Sequence, residues 1–550
     1  MKAIRTGLAA LGRRLPTLIA GALAGLVAAL VMILAMAASR YWLGIMPPVE
    51  AVPDRIAPLL DIDSFFRLFG KYGGYNGLKK FGIVSGLRAV VGIGVVVGIV
   101  YALIIESQLS RRSRRSLFGA STPAFAIMLA VSLLVWAGLV VFLWPVIPAN
   151  YRGLPYSQAR WATILALLVY ILLFTGTLMV TYRAITSRAA RWQTKPGDPP
   201  ARPISRTIGR RAVLAGIGAA LLTLPIYRIL KTMYDQATFF YDGTVYSGED
   251  IQPIAPVDRF YTVTKNVVDP DVNRDIWRLE IGGHVDHGVT LSFDDLMAYE
   301  QVDQETTLMC ISNRIGAGLF SNANWRGVRM RDVLESAGVG NGAYEIVLTG
   351  ADAYRDTFAI EKALEPTTLL VYQINGEPLP RIHGYPVRVL VPGMFGEKNV
   401  KWVTRIDVAT KDEHGFYEQQ GWGPNFMPYT RSDIFRPRTR LRSGKFTFTR
   451  EFPAGQEIEI RGRAFAGNRG IRSVEISTDG GDSWRPVEIY YPGTKLTWAL
   501  WRYTWTPPQA GQFVITSRAV DGNGDPQPEE VRGIVPQGAS GYHKVTMTVT

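Results

Sequence analysis

The chain has 550 residues, 60 Lys and Arg against 46 Asp and Glu, a formal net charge of +14, and one cysteine. The length exceeds one ordinary domain, and the single cysteine excludes an internal disulfide, an iron–sulfur cluster and a multi-cysteine zinc site. The basic excess does not point to nucleic acid. Its clusters, Arg111, Arg112, Arg114 and Arg115 and then Arg202, Arg206, Arg210 and Arg211, flank apolar runs, where basic residues orient a membrane protein.

Five apolar runs approach the roughly 20 residues that cross a hydrocarbon core: Leu15–Ala38, Ser85–Ile105, Pro123–Ile147, Trp161–Tyr182 and Ala212–Leu230. They predict an all-α transmembrane bundle. The N-terminus carries Lys2, Arg5, Arg13 and Arg14. The second loop carries the arginines from Arg111 to Arg115, and the fourth carries Arg183, Arg188, Arg191 and Lys195 against Asp198. The first loop is mixed and the third is nearly neutral. This alternation predicts a cytoplasmic N-terminus and, after five crossings, an extracytoplasmic location for everything beyond Lys231. Gly209-Arg210-Arg211-Ala212-Val213-Leu214 reads either as a twin-arginine export signal or as an ordinary basic flank. A cofactor inserted inside the cell would require export in the folded state and so favours the signal. The histidines, His284, His287, His383, His414 and His543, all follow the apolar runs. Transmembrane haem takes imidazole ligands, so no haem is expected in this chain, and the bundle reads as a lipid-embedded anchor.

From about Tyr241 to Asp407 the pattern is α+β. Trp277–Ile281 alternates as a strand, Ser292–Met297 starts with a cap and reads as a helix, and Val387–Val391 is a strand ended by Pro392-Gly393. From about Lys445 the chain is strand and turn: Glu457–Ala464, Ser473–Ser477, Pro486–Ile489, Trp498–Tyr503 and Gln512–Val520 alternate, separated by Asp479-Gly480-Gly481-Asp482 and Asp521-Gly522-Asn523-Gly524. That spacing predicts an Ig-like β-sandwich without the Cys…Trp…Cys set of true immunoglobulin domains. The expected domains are residues 1–235, 236–440 and 441–550, with Trp484, Trp498, Trp501 and Trp505 in the core or interface of the last.

A lone cysteine is ordinarily an inert small hydrophobe. Cys310, however, ends the apolar stretch Thr306–Met309 and opens a polar loop, Ile311-Ser312-Asn313-Arg314. Positive charge there would favour the thiolate that binds metal. The residues alone leave both readings open.

A longer series of blocks resembles the molybdopterin domain of the sulfite oxidase family. It runs from Cys310-x-x-Asn313-Arg314 through Asn324-Trp325-Arg326-Gly327-Val328, Arg331-Asp332-Val333-Leu334, Gly350-Ala351-Asp352, Asn375-Gly376-Glu377-Pro378-Leu379-Pro380, His383-Gly384-Tyr385-Pro386-Val387-Arg388 and Val391-Pro392-Gly393 to Val400-Lys401-Trp402. The C-terminal region resembles that family's dimerisation domain through Gly470–Glu475, Asp479–Trp484 and Arg518–Gly522. The resemblance begins near Tyr261 and leaves out the membrane part. It implies a molybdenum–molybdopterin cofactor with one pterin dithiolene per metal and Cys310 as protein ligand. His383, Arg388, Lys401, Asp352, Asn266, Asn313 and Arg314 would form the pterin cradle, and Tyr354 would stand at the reacting oxygen. Where sulfite oxidases carry Arg-Asn-His, this chain has Lys265-Asn266-Val267. Lysine attracts an anion without a planar bidentate grip, which puts sulfite itself in question. The resemblance implies two-electron oxygen-atom transfer on a small sulfur oxyanion or a sulfoxide-type substrate, an external electron carrier (a cytochrome or quinone-linked protein) and a homodimer through the C-terminal domain. A non-catalytic, membrane-anchored adhesion or binding protein is the competing class. The intact set of Cys310, Asn313, Arg314, His383, Arg388 and Lys401 argues against it.

Overall fold

The computed structural model describes residues 2–109, 122–186, 207–442 and 445–550. Arg111, Arg112, Arg114, Arg115, Arg188, Arg191, Lys195, Arg202 and Arg206 fall outside the described residues. The described chain divides into two units: residues 1–57, 66–151 and 157–237 form one, and residues 58–65, 152–156 and 238–550 form the other.

The first unit is helical. Among the described residues, five helices are long and apolar enough to cross a membrane: Leu15–Leu43, Tyr75–Ile105, Phe125–Leu143, Tyr156–Thr186 and Arg211–Phe240. They coincide with the five apolar runs read from the sequence. Helix Lys2–Ala38 packs along helix Tyr75–Leu109, and small residues set the approach. A Cβ on Gly25 would lie 2.0 Å from the Gly94 carbonyl oxygen, and one on Gly98 would lie 2.2 Å from that of Gly21. Each helix thus offers a Gly-xxx-Gly pair, Gly21/Gly25 against Gly94/Gly98. Ala20, Ala24, Ala28 and Ala102 complete the seam, fully buried. Without a hydrophobic drive between helices in lipid, such backbone contact is what holds them together. Arg210 and Arg211 lie inside helix Thr207–Asp235, and the Arg211 guanidinium donates to the Ala184 carbonyl at 3.0 Å.

The second unit begins with an α+β region built on two sheets. One has the strand order Val289–Leu291, Leu279–Gly283, Val403–Ala409, Glu345–Gly350, Arg355–Ala359. The other runs Gln301–Met309, Phe320–Arg329, Leu369–Ile374, Glu377–Pro378, with Arg388–Leu390 also pairing Leu369–Ile374. Leu279, Ile281, Ile346, Leu348 and Ile406 from the first sheet share one core with Val328, Leu370, Val387 and Val389 from the region of the second, closed by helix Met330–Ala337 through Val333 and Leu334. Ser292 caps helix Phe293–Met297 in a reciprocal capping box with Asp295, as the sequence led one to expect. The first predicted strand starts two residues late. Trp277 is drawn into a turn by its backbone bond to Asn273 and is anchored, fully buried, by its indole N–H on the Val403 carbonyl at 2.9 Å.

The C-terminal region is β-rich. A four-stranded sheet (Arg431–Arg436, Ile458–Phe465, Ala499–Trp505, Glu488–Tyr491) faces a six-stranded one ordered Thr439–Arg442, Lys445–Phe448, His543–Val549, Gly511–Asp521, Ile471–Ser477, Arg485–Pro486. Ile434, Ile460 and Trp501 from the first and Val474, Ile476, Ile515, Ala519, Val545 and Met547 from the second make one core. Alternating strands predict such a two-layer arrangement, since every second side chain points inward.

Candidate active site

Strand Gln301–Met309 delivers Cys310 to a tight loop. The Cys310 N–H donates to the Leu319 carbonyl at 3.0 Å, and the Cys310 carbonyl accepts from the Asn313 N–H at 2.9 Å. The thiol is buried, with the Ser312 hydroxyl 3.1 Å from its Sγ. Its surroundings correct one sequence expectation. Arg314 is exposed, so its charge is spent in water. Burial, reinforced by the carboxylate of Glu397, pushes the Cys310 thiol up to about 11. Desolvation outweighs any distant cation, and in the absence of a metal the sulfur is a protonated thiol. Among the described residues no group of three or more His, Cys, Asp or Glu side chains could hold a metal ion. A metal bound at Cys310 therefore needs further donors from a cofactor.

The C-terminal region grips this loop from behind. Arg431, 2% exposed, donates to the Arg314 carbonyl at 3.0 Å and to the Asn313 carbonyl at 3.4 Å, and pairs with Asp433 at 2.7 Å. Asp433 in turn accepts from the Gly316 N–H at 2.9 Å. Arg463 donates to the Ala317 carbonyl at 2.7 Å. Replacing Arg431 with alanine strands Asp433 in the interior. Arg463 and His543 still face that carboxylate, so the expected loss is about 2–3 kcal/mol, below the full cost of a broken buried pair. Thermal unfolding followed by tryptophan fluorescence measures it, and a change below about 0.5 kcal/mol would rule this clamp out.

Further on, the chain builds a buried cationic cradle. Arg388 is 5% exposed and donates to the carbonyls of His383 (3.2 Å) and Asn399 (3.1 Å), while its Nε has no partner. Lys401 donates to the carbonyls of Val263 (3.2 Å) and Ile382 (3.1 Å). Neither makes a salt bridge with a carboxylate of the described residues. Burial lowers both, Arg388 to about 10. His383 stands edge-on to Phe260 with one ring nitrogen 3.3 Å from the Val257 carbonyl, and burial together with the charges of Arg388 and Lys401 pulls it down to about 3, so the ring is neutral. Two buried cations that hydrogen-bond carbonyl oxygens and face the rings of Trp325 and Trp402 leave charge for an anion to neutralise. Asn313 adds a buried amide nitrogen without a partner, its Oδ1 being held by the Leu319 N–H at 2.9 Å. These orphaned donors fit the phosphate and polar edges of a pterin.

Lys265, Asn266 and Asp352 meet beside them. Asn266 donates to Asp352 Oδ2 at 2.9 Å, and Lys265 donates to the Asp352 backbone carbonyl at 3.0 Å. Ala353 follows with φ of +56°, a conformation costly for a residue with a Cβ and commonest at functional sites. It lets the Tyr354 N–H turn back onto Asp352 Oδ1 at 3.0 Å. The Tyr354 hydroxyl is buried and donates to Asp356 Oδ2 at 2.6 Å, with the Glu397 carbonyl at 3.2 Å.

Sequence reasoning passed over three groups here. Tyr261 is 8% exposed, and its phenol is raised by burial, then by Cys310 and Glu397, and eased by Arg388. One hydroxyl thus senses the thiol and the cradle together. Glu397 is half-buried with both carboxylate oxygens enclosed, and burial, eased by the backbone N–H groups of Glu397 and Ile311, pushes its carboxyl up to about 8. Lys398 is 1% exposed and ion-paired with Asp356 at 2.7 Å and Glu418 at 3.3 Å. The signal was present in Glu397-Lys398, an acid and a base in adjacent positions just before Val400-Lys401-Trp402.

Comparison with known proteins agrees with this geometry. Residues 266–417 match the oxidoreductase molybdopterin binding domain, and residues 445–550 match the Mo-co oxidoreductase dimerisation domain. The sulfite oxidase of Gallus gallus is 30% identical over 51% of this chain and 69% of its own length. The mitochondrial sulfite oxidase of Drosophila melanogaster is 31% identical over 54% of this chain and 59% of its own. The chain spans about three fifths of the length of several such relatives, 62% for that of Homo sapiens. The crystal structure of the sulfane dehydrogenase SoxCD from Paracoccus pantotrophus aligns with a TM-score of 0.49 and 23% identity, covering 55% of this chain and 85% of that one. With its single buried thiol, its cationic cradle and these two domain matches, the chain belongs to the sulfite oxidase family of molybdopterin-binding oxidoreductases.

Proposed function

We propose that this protein is a membrane-anchored oxidoreductase that transfers an oxygen atom, with two electrons, to or from a small sulfur oxyanion or a sulfoxide-type substrate outside the cytoplasm. The observation that carries the reading is the pairing of Cys310 with two buried cations that ion-pair with no carboxylate among the described residues. Molybdenum on one pterin dithiolene would supply the two-electron oxygen-transfer chemistry when bound. Cys310, as thiolate, would hold the metal; Arg388 and Lys401 would hold the phosphate end, neutral His383 would offer the pterin a ring edge, and Asn313 would present an amide donor. Asn266 and Asp352 fix the polypeptide beside Lys265, whose ammonium draws in an oxygen-rich substrate. Tyr354 orders the reacting oxygen. Arg314, being exposed, belongs to the loop's surface and serves through its backbone carbonyl, which Arg431 holds.

The domains follow the division 1–235, 236–440 and 441–550, with strands Arg431–Arg436 and Thr439–Arg442 joining the sheets of the last. The last is an Ig-like sandwich of the dimerisation type that pairs two copies. Five spans with the N-terminus in the cytoplasm carry the catalytic domain across, and Arg210-Arg211 serves a folded-export route. Electrons pass to or from an external cytochrome or quinone-linked protein. The test is elemental analysis with a dye-linked assay of the purified full-length protein against sulfite and dimethyl sulfoxide. One molybdenum per chain and turnover of at least one of them are expected. Metal-free protein after expression with ample molybdate would overturn the proposal.

A further inference from the structure

The hydroxyl of Tyr354 has one proton to give, and the structure places an acceptor for it. Asp356, with no exposed surface, takes it at 2.6 Å, and its other oxygen accepts from Lys398 at 2.7 Å. Lys398 continues to Glu418 at 3.3 Å and to the Thr357 carbonyl at 2.9 Å. Glu418, whose side chain is 22% exposed, is fixed by the Thr357 hydroxyl at 2.9 Å and the Gly415 N–H at 2.7 Å. A continuous row therefore runs from a buried phenol through a buried ion pair to a carboxylate that meets water.

We propose that Asp356 is a positioning residue for Tyr354: by accepting the phenolic proton it leaves the tyrosine oxygen facing the reaction site as a hydrogen-bond acceptor, and Lys398, itself steered by Glu418, holds Asp356 as the anion that does so against the pull of burial. This rests on the reading of Tyr354 as a residue of the active site. A carboxylate is the stronger acceptor, and a charge-assisted O–H bond of this length outcompetes a neutral one. The consequence is polarity. A phenol bound in this way welcomes a protonated oxygen, such as the water or hydroxyl that enters or leaves with oxygen-atom transfer, and gives no hydrogen bond to a bare oxide unless Asp356 is first protonated. Charged and titratable groups facing Tyr354 and Asp356 are Glu397, Tyr417, Lys398 and Glu418.

The experiment places 3-fluorotyrosine at position 354 of the full-length, cofactor-loaded protein and follows its ¹⁹F resonance with pH, beside dye-linked turnover of sulfite and dimethyl sulfoxide. Asp356→Asn removes the anion, so the phenol should titrate at least about one unit lower. Turnover should fall about tenfold or more through kcat, with KM changing less than about threefold. The pair Asp356→Asn with Lys398→Met removes both charges and guards against a folding failure; it should show the same ¹⁹F shift. Adding Asp356→Asn to Tyr354→Phe should cost little further, because both act through one hydroxyl. A titration of fluorotyrosine-354 unmoved by either Asp356 variant, or fully additive losses, would overturn the proposal. Full turnover in Tyr354→Phe would instead remove the reading of Tyr354 on which it stands.

Discussion

Replacing Cys310 with alanine should reduce dye-linked turnover by more than about 100-fold while the protein keeps most of its molybdenum. Loss of even an outer partner of a metal ligand costs about 10–100-fold in activity or affinity, and under the proposed function Cys310 is the protein's ligand to the metal. Retention follows from where the binding energy comes from. Arg388, Lys401 and His383 lie on and around strand Arg388–Leu390 and the segment before Val403, and none depends on the Cys310 loop for its hydrogen bonds. Their partners are the carbonyls of Val257, Val263, Ile382, His383 and Asn399. The loop itself remains clamped by Arg431 and Arg463 through backbone carbonyls that the substitution does not touch. Molybdenum content by mass spectrometry and turnover on the same sample check both halves. Undiminished turnover would remove Cys310 from the chemistry, and complete loss of metal would show that the thiol carries more of the affinity than the cradle.

Much of the fold was legible because its signals are periodic and local. Five uninterrupted apolar runs give five long helices, and alternation gives the strands Ile458–Phe465, Ala499–Trp505 and Gly511–Asp521 within a residue or two of expectation. Ser292 and Asp295 announce their helix by a capping pair that works at the range of a single turn. The seam between the first two long helices was equally written in Gly21, Gly25, Gly94 and Gly98, but reading it requires knowing which helices touch. The site was legible in part, for a different reason. Cys310, His383, Arg388 and Lys401 sit in blocks whose composition resembles a known family. Asp356, Glu397, Lys398 and Glu418 do not stand out, because their meaning is a matter of burial. An acid and a base adjacent in sequence look like a solvated turn, and only the fold shows Lys398 turned to Asp356 across 42 positions while the Glu397 carboxylate is enclosed within reach of the thiol's field. Arg314 shows the reverse error: a cation next to a cysteine in sequence that the loop turns out to water, leaving burial and Glu397 to set the thiol.

Glu397→Gln should stabilise the cofactor-free protein at high pH and not at low pH. The folded carboxyl is pushed up to about 8 from an ordinary value of 4.5, chiefly by burial; its own backbone N–H pulls it down, Asp356 pushes it up, and Lys398 and the Ile311 backbone pull the other way. A raised carboxyl means that the folded state holds the proton more tightly than the unfolded chain. The group therefore costs nothing below about pH 4.5, its penalty grows as pH rises from there to about 8, and it is constant above that. A shift of this size corresponds to roughly 4–5 kcal/mol at about 1.36 kcal/mol per unit. Glutamine keeps the shape and removes the titration, but its amide is also left short of partners, at about 1–3 kcal/mol. The net gain expected at pH 8.5 is about 2–3 kcal/mol, falling to zero or slightly negative at pH 5. Thermal unfolding of protein purified without cofactor, at both pH values and for both sequences, gives the four numbers needed. A difference between variant and parent that does not change with pH would mean that Glu397 is ionised in the folded protein and has found a partner. The carboxyl would then be an ordinary structural acid rather than a buried, proton-holding group beside the thiol.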